Sequence, residues 1–283
     1  MNIILIGTTT NFDIFNSILQ NKYIKVIGAI IDKNLTSNID SKSHLDFLHK
    51  NNIKEIQLED LPLIKYDLCL IITYSKILDM KYFKNGININ IHGGILPYWR
   101  GFYANIWAVL NNQSYIGYTL HALNKKMDDG AIYYIIKERI HKNEKFFNAN
   151  KRLREKICNN IPELLINIHN KKIKPKKQPN KSDYFFCSKI KSSDLIIANW
   201  NQKSEYFYNL FRIFSKPGGT GLFVKYNNNL HEITELKYTN TTKYLGIPGT
   251  VVNKDSKYTY IKTQDSYIKI ILSNCNLQIG VRL

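Results

Sequence analysis

Three short runs in this chain, Ile3 to Ile6, Val26 to Ile31 and Leu68 to Ile72, are wholly apolar and are separated by stretches with helical spacing. A strand with one wet face alternates, whereas a strand buried on both faces reads as a continuous apolar run. The order therefore predicts a parallel sheet covered by helices on both sides. Ile14, Ile18 and Leu19 supply the first helix, and Leu45, Leu48 and His49 the second. The first strand leads into Gly7-Thr8-Thr9-Thr10-Asn11-Phe12, which is not a GxGxxG loop, so a dinucleotide fingerprint is absent.

The fourth strand departs from this pattern. Ile87, Ile89 and Ile91 alternate with Asn88, Asn90 and His92, which puts an amide and an imidazole side by side on one face. Gly93-Gly94 then ends the strand, and Pro97 keeps the next segment out of regular pairing. His92 thus falls at a carboxyl end, where open α/β sheets place their ligands. Unpaired polar groups on a buried face are costly, so this pair points to a site. A neutral imidazole can take a proton from a nucleophile near neutral pH, and an Asn amide can donate to a developing oxyanion. Asp128, in the Met127-Asp128-Asp129-Gly130 turn, is the carboxylate that would support the imidazole. His121, on a neighbouring strand, is the rival base. On pattern alone, a histidine held by backbone and a plain turn account for the same residues.

After the Gly-Gly loop, Phe102, Ile106, Val109 and Leu110 predict a helix, Tyr115 to Leu123 and Ala131 to Ile136 predict strands, and Leu153, Ile157, Ile161, Leu164, Leu165 and Ile168 predict a longer helix. Lys171 to Lys181 is a dense, Pro-interrupted lysine cluster that reads as a solvated linker. Beyond it, Tyr206, Leu210 and Ile213 suggest one helix, and from Leu222 short strands between turns suggest a small barrel or sandwich. A boundary at about residue 182 divides 1–182 from 183–283. With 283 residues and 44% hydrophobic content the chain has ample material for a core. No apolar run reaches the length of a membrane span, and Met1 to Phe12 reads as a first strand and not as a signal peptide. Cys69, Cys158, Cys187 and Cys275 are scattered with no metal-ligand spacing, which fits a reducing cytoplasm and no metal. The formal charge of +18 is spread along the sequence, so a nucleic-acid patch is not expected.

Asn90-x-His92, Ile95-Leu96-Pro97, Trp99-Arg100-Gly101, Thr119-x-His121 and Asp128-x-Gly130 together resemble the signature of the formyltransferases that use 10-formyltetrahydrofolate. Asn199-Trp200, Arg212 with Pro217-Gly218-Gly219, and Pro248-Gly249-Thr250 resemble the small OB-like carboxyl domain that methionyl-tRNA and many sugar formyltransferases share. The fold implied is a Rossmann-like, mostly parallel α/β sheet followed by an OB-like β domain. The resemblance implies Asn90, His92 and Asp128 as the catalytic triad of direct formyl transfer to an uncharged amine. It implies a folate pocket from Tyr74, Lys76, Ile77, Leu78, Ile95, Leu96 and Met127. Gly94 stands where the family often has Ser, which removes a hydroxyl.

The aromatic run after Arg100, Gly101-Phe102-Tyr103-Ala104-Asn105-Ile106-Trp107, resembles the nucleotide-sugar N-formyltransferases and lacks the Arg-Gly-Ala-Ala-Pro of the tRNA enzyme. The implied acceptor is a dTDP-linked 4-amino-4,6-dideoxyhexose, dTDP-4-amino-4,6-dideoxyglucose first, made for lipopolysaccharide O-antigen by a cytoplasmic homodimer. Trp99, Arg100, Tyr103 and His121 are the expected substrate contacts. Methionyl-tRNA formyltransferase is the alternative.

Overall fold

The structure, a computed structural model, describes residues 1–32, 46–179, 184–215 and 220–283. Leu45, Lys181, Pro217, Gly218, Gly219 and the boundary expected at 182 lie outside the described residues. Contacts divide the chain into two compact units, one of Met1–Asn105, Ile116–Glu138 and Lys151–Ser188, the other of Ile106–Tyr115, Arg139–Asn150 and Lys189–Leu283.

In chain order the first elements are β1 (Asn2–Gly7), α1 (Phe12–Leu19), β2 (Lys25–Ile31), a short helix α2 over 46–50, β3 (Leu68–Ile72) and β4 (Ile87–His92). They are followed by β5 (Trp99–Gly101), α3 (Ala104–Leu110), β6 (Tyr115–Ala122), β7 (Ile132–Arg139), α4 (Phe146–His169) and β8 (Phe185–Cys187). The large sheet runs β2-β1-β3-β4-β6-β7. Its first four strands are parallel, as the apolar runs predict, and β6 pairs antiparallel with β4. Ile3, Ile4, Leu5 and Ile6 have no solvent exposure, because helices and loops cover both faces. On α4, Leu153, Ile157, Ile161 and Leu165 recur every four residues and are fully buried, so one apolar stripe docks the helix. Arg154 ties α4 to α1 through Asp13.

Pairing of β4 with β3 on one side and β6 on the other fixes the site's frame. Ile72 faces Ile91, so the loops after β3 and β4 leave the same end of the sheet. Across the other edge, Asn90 faces His121 and His92 faces Thr119. The alternation in β4 behaves as its residue types require. Ile89 and Ile91 are buried in the core, while Asn88 is fully occupied by Tyr66 and by the carbonyls of Phe83 and Asn85. Asn88 therefore anchors the strand, and the next two polar residues, Asn90 and His92, remain as the candidates for a site.

The second unit contains β9 (Ile196–Ile197), α5 (Ser204–Phe214), β10 (Phe223–Tyr226), β11 (Asn229–Thr239), β12 (Val251–Lys254), β13 (Thr259–Lys262) and β14 (Tyr267–Leu272). Its strands form one sheet in the order β12-β13-β14-β11-β10-β9. Phe207 on α5 is fully buried, and Arg212 donates to the carbonyls of His141 and Lys142. The expected small β domain is present. Three short strands escape prediction, since two or three residues carry no period: β9, and β5 with β8, which pair in parallel as Trp99 with Phe185 and Gly101 with Cys187.

Candidate active site

His92 ends β4 and is 6% exposed. Its Nε2 lies 2.5 Å from the carbonyl oxygen of Trp99. A carbonyl only accepts, so Nε2 carries the proton and the lone pair belongs to Nδ1. That nitrogen faces Asp128 Oδ2 at 3.4 Å. Two acceptors stand opposite each other in the resting state, and the contact becomes favourable once Nδ1 has taken up a proton. Burial lowers the pKa of His92 below the ordinary imidazole value, against the pull of Asp128 and Trp99. The ring is therefore neutral at neutral pH and free to act as a base.

Asp128 sits on the loop between β6 and β7 with φ of 52° and is 9% exposed. Burial pushes its carboxyl up, but the hydrogen bond with His121, the charge of His92 and the Gly101 N–H outweigh it and hold the group below the usual carboxylate range. Gly101 N donates to Oδ2 at 2.8 Å, and His121 Nε2 stands 3.5 Å from Oδ1. Gly130 closes the loop, and only glycine fits there: a Cβ would stand 1.6 Å from the Ala122 carbonyl oxygen.

His121, 2% exposed, is locked at Nδ1 by the Ala122 carbonyl at 2.9 Å. Its Nε2 lies 3.0 Å from Asn90 Nδ2. With Nδ1 bonded to the Ala122 carbonyl, Nε2 faces Asn90 and Asp128, so His121 is committed to the two groups that flank His92. One N–H of the Asn90 amide is spent on this contact and the second remains to meet an oxyanion.

The loop after β4 is held from below. Thr119, fully buried, donates to the Gly94 carbonyl at 2.6 Å and accepts from Leu96 N at 3.1 Å. At Gly94 a Cβ would stand 2.6 Å from His92 Nε2 and 2.9 Å from the Trp99 oxygen. Glycine at this position thus makes room for the bond that orients His92.

The other sequence candidates fall into two groups. After β3, the backbone N–H of Ser75 is fixed by Asp32, Tyr74 and Leu78 pack on the core, Lys76 is exposed, and Ile77 is 82% exposed. Met127 is 36% exposed, Ile95 is partly buried and Leu96 is buried. A large apolar side chain standing in water at the carboxyl end of the sheet, with main-chain groups on either side, fits a flat ring system better than it fits packing. Beyond His92 the picture differs from expectation. Trp99, read as a substrate contact, is buried and stacks on Phe185 with ring centroids 4.9 Å apart. Arg100, also read as a substrate contact, is paired with Asp129 at 2.7 Å, donates to Gln178 at 2.8 Å and lies over the Tyr184 ring at 4.6 Å. Tyr103 and its neighbour Tyr98 are about half exposed, at 53% and 48%. Gln178 was missed altogether, because it lies among solvated lysines and shows no period.

Among the described residues no group of three or more His, Cys, Asp or Glu is placed to hold a metal ion, and no helix is long and apolar enough to cross a membrane.

The profile described as Formyl transferase matches residues 16–165. The methionyl-tRNA formyltransferase of Mesoplasma florum is 30% identical over 79% of this chain and 72% of its own length. The solved structure of WlaRD, described as a sugar 3N-formyl transferase in the presence of dTDP and 5-N-formyl-THF, covers 98% of this chain and 99% of its own at 25% identity, with a TM-score of 0.72. An N-formyltransferase from Helicobacter canadensis, in complex with folinic acid and dTDP-3-aminofucose, covers 96% of this chain and 100% of its own at 22% identity, with a TM-score of 0.70.

Proposed function

Since the chain belongs to the formyl transferase family and is a formyl-transferring enzyme, we propose that it moves the formyl group of 10-formyltetrahydrofolate to the amine of a dTDP-linked amino-dideoxyhexose. The observation that carries this reading is the neutral, buried imidazole of His92 with its free nitrogen turned toward Asp128. In the proposed reaction the uncharged amine attacks the formyl carbon, and Asn90 donates its second N–H to the oxygen as it becomes an oxyanion. His92 Nδ1 takes the amine proton, and the imidazolium so formed is held by the Asp128 carboxylate. The C–N bond to the folate then breaks as the His92 imidazolium gives that proton to the departing folate nitrogen, which returns the ring to its neutral form. The pterin lies against Ile77, with Lys76 and Leu78 offering main-chain groups to its edge.

The sequence resemblance implies dTDP-4-amino-4,6-dideoxyglucose as the acceptor. One observation favours a second acceptor, a 3-amino sugar: two solved structures that match nearly the whole of this chain and of their own are described with 3-position chemistry. Because Trp99 and Arg100 are occupied within the protein, stacking on the nucleotide falls to the exposed rings of Tyr98 and Tyr103. The curated relatives name a rival, methionyl-tRNA. A formyl-transfer assay with 10-formyltetrahydrofolate and three acceptors, the 4-amino sugar, a dTDP-linked 3-amino sugar and methionyl-tRNA, separates them. Formylation of a dTDP sugar and not of tRNA is expected. Transfer to tRNA alone, with affinity falling steeply in salt, would replace this reading.

The same reading places the enzyme in the cytoplasm, making a precursor of surface polysaccharide such as O-antigen, and as a homodimer. A solution scattering mass of twice that of the 33.1 kDa chain is expected, and a monomer mass at working concentration would remove the dimer.

A further inference from the structure

The segment before residue 180 reads in the sequence as a solvated linker, and its lysine side chains are indeed exposed. Its backbone, however, is docked. Ile132 and Lys176 exchange both main-chain hydrogen bonds at 2.8 Å, a single antiparallel bridge against the start of β7. That bridge lays Gln178 beside the loop that carries Asp128. Gln178 is 6% exposed, and a polar group so buried is costly unless its hydrogen bonds are made. All of them are used on this loop and its neighbour. Nε2 donates to the carbonyls of Asp128 at 2.9 Å and Gly130 at 2.8 Å, while Oε1 accepts from Arg100 Nη2 at 2.8 Å. Arg100 Nη1 in turn holds the Asp129 carboxylate.

Residues 128–130 are thus gripped at two carbonyls and one carboxylate. The grip matters because Asp128, with φ of 52°, lies in the left-handed region, which is strained for a non-glycine residue and persists only where the surroundings impose it. It matters also because the carboxylate meets its two imidazoles at 3.4 and 3.5 Å, at the limit of useful contact. A small rotation of the loop would separate them.

We infer that Gln178 is a positioning residue of the transfer reaction, holding the loop so that the Asp128 carboxylate stays on His92 Nδ1. The inference rests on the triad reading of the proposed function. The charged and titratable groups around that contact are His121 on β6, Arg100 on β5, Asp129 on the loop and Cys187 on β8.

Two variants test it beside Asp128→Asn. Gln178→Met keeps the length and removes the donors and the acceptor. Gln178→Glu keeps an acceptor, loses both donors and brings a second anion to Asp128. With 10-formyltetrahydrofolate and the accepted amine, Gln178→Met should lower kcat between about tenfold and a hundredfold, with both KM values within about twofold. Its acidic limb of kcat should move to lower pH, because His92 loses the anion that favours its protonated form. Gln178→Glu should also lower kcat but move that limb to higher pH, because the added carboxylate favours the imidazolium. The inference is overturned if kcat stays within about twofold of the wild type, or if both variants merely melt earlier with the limb unmoved. An inactive Asp128→Asn beside a normal Gln178→Met sinks the positioning role alone. An Asp128→Asn enzyme as active as the wild type sinks the triad reading itself.

Discussion

Asparagine at position 92 is expected to lower formyl transfer by about a thousandfold, within the range that general base catalysis supplies, while 10-formyltetrahydrofolate still binds. The reason is local. His92 Nε2 is spent on the Trp99 carbonyl, so Nδ1 is the atom that accepts the proton of the attacking amine. An amide has no lone pair of comparable basicity, and Asn is short enough for the cavity, its N–H standing where Nδ1 was and leaving the Trp99 oxygen without its imidazole donor. The loop after β3, proposed to hold the folate, and the core behind β4 are untouched, so binding and fold should survive. Single-turnover transfer together with equilibrium binding of the folate checks this. Turnover within about tenfold of the wild type would move the base role elsewhere, with His121 first in line. His121 is otherwise disfavoured, because both its nitrogens are committed, to Ala122 on one side and to Asn90 and Asp128 on the other.

Asp128→Asn is expected to cost about a hundredfold to a thousandfold in kcat, less than loss of the base, because its role is to stabilise the cation and not to move a proton. The amide oxygen can still accept from Gly101, so the loop keeps its shape. What disappears is the negative charge beside Nδ1, and this sets the sign of the pH effect. Burial already lowers the His92 pKa, and Asp128 acts against that shift. Without the anion the pKa falls further, so the acidic limb of the kcat profile, expected below the ordinary imidazole range in the wild type, should move to still lower pH. A limb that stays in place or rises would show that Asp128 does not act on His92. The pair of profiles also separates the two roles, since in His92→Asn this limb should vanish.

The parallel half of the sheet was legible because burial on both faces leaves a compositional mark: β1, β2 and β3 are runs of Ile, Val and Leu that water would not tolerate. Asn90 and His92 were legible for the opposite reason, as polar residues on a strand whose other face is buried. Asp128 could be nominated from its glycine turn, but its distance to His92 could not, since that depends on a loop between two other strands. Arg100 was read as a substrate contact. Its neighbours Asp129, Gln178 and Tyr184 come from distant parts of the chain and consume it. Trp99 is in the same position, covered by Phe185 through a parallel pairing of three-residue strands that has no periodic signal.

The order of residues alone settles the fold class, the strand that carries the site, and the residue types able to hold and release a proton there. Those properties arise from short-range patterns, because burial selects apolar side chains at fixed periods and a catalytic group must break the pattern. The three-dimensional arrangement was needed to decide which nitrogen of His92 is free, which cations are already paired, and that a glutamine in a lysine-rich stretch grips the Asp128 loop. Hydrogen bonds between residues fifty or more positions apart leave no mark in local composition, since a donor and its acceptor are matched by the fold that brings them together.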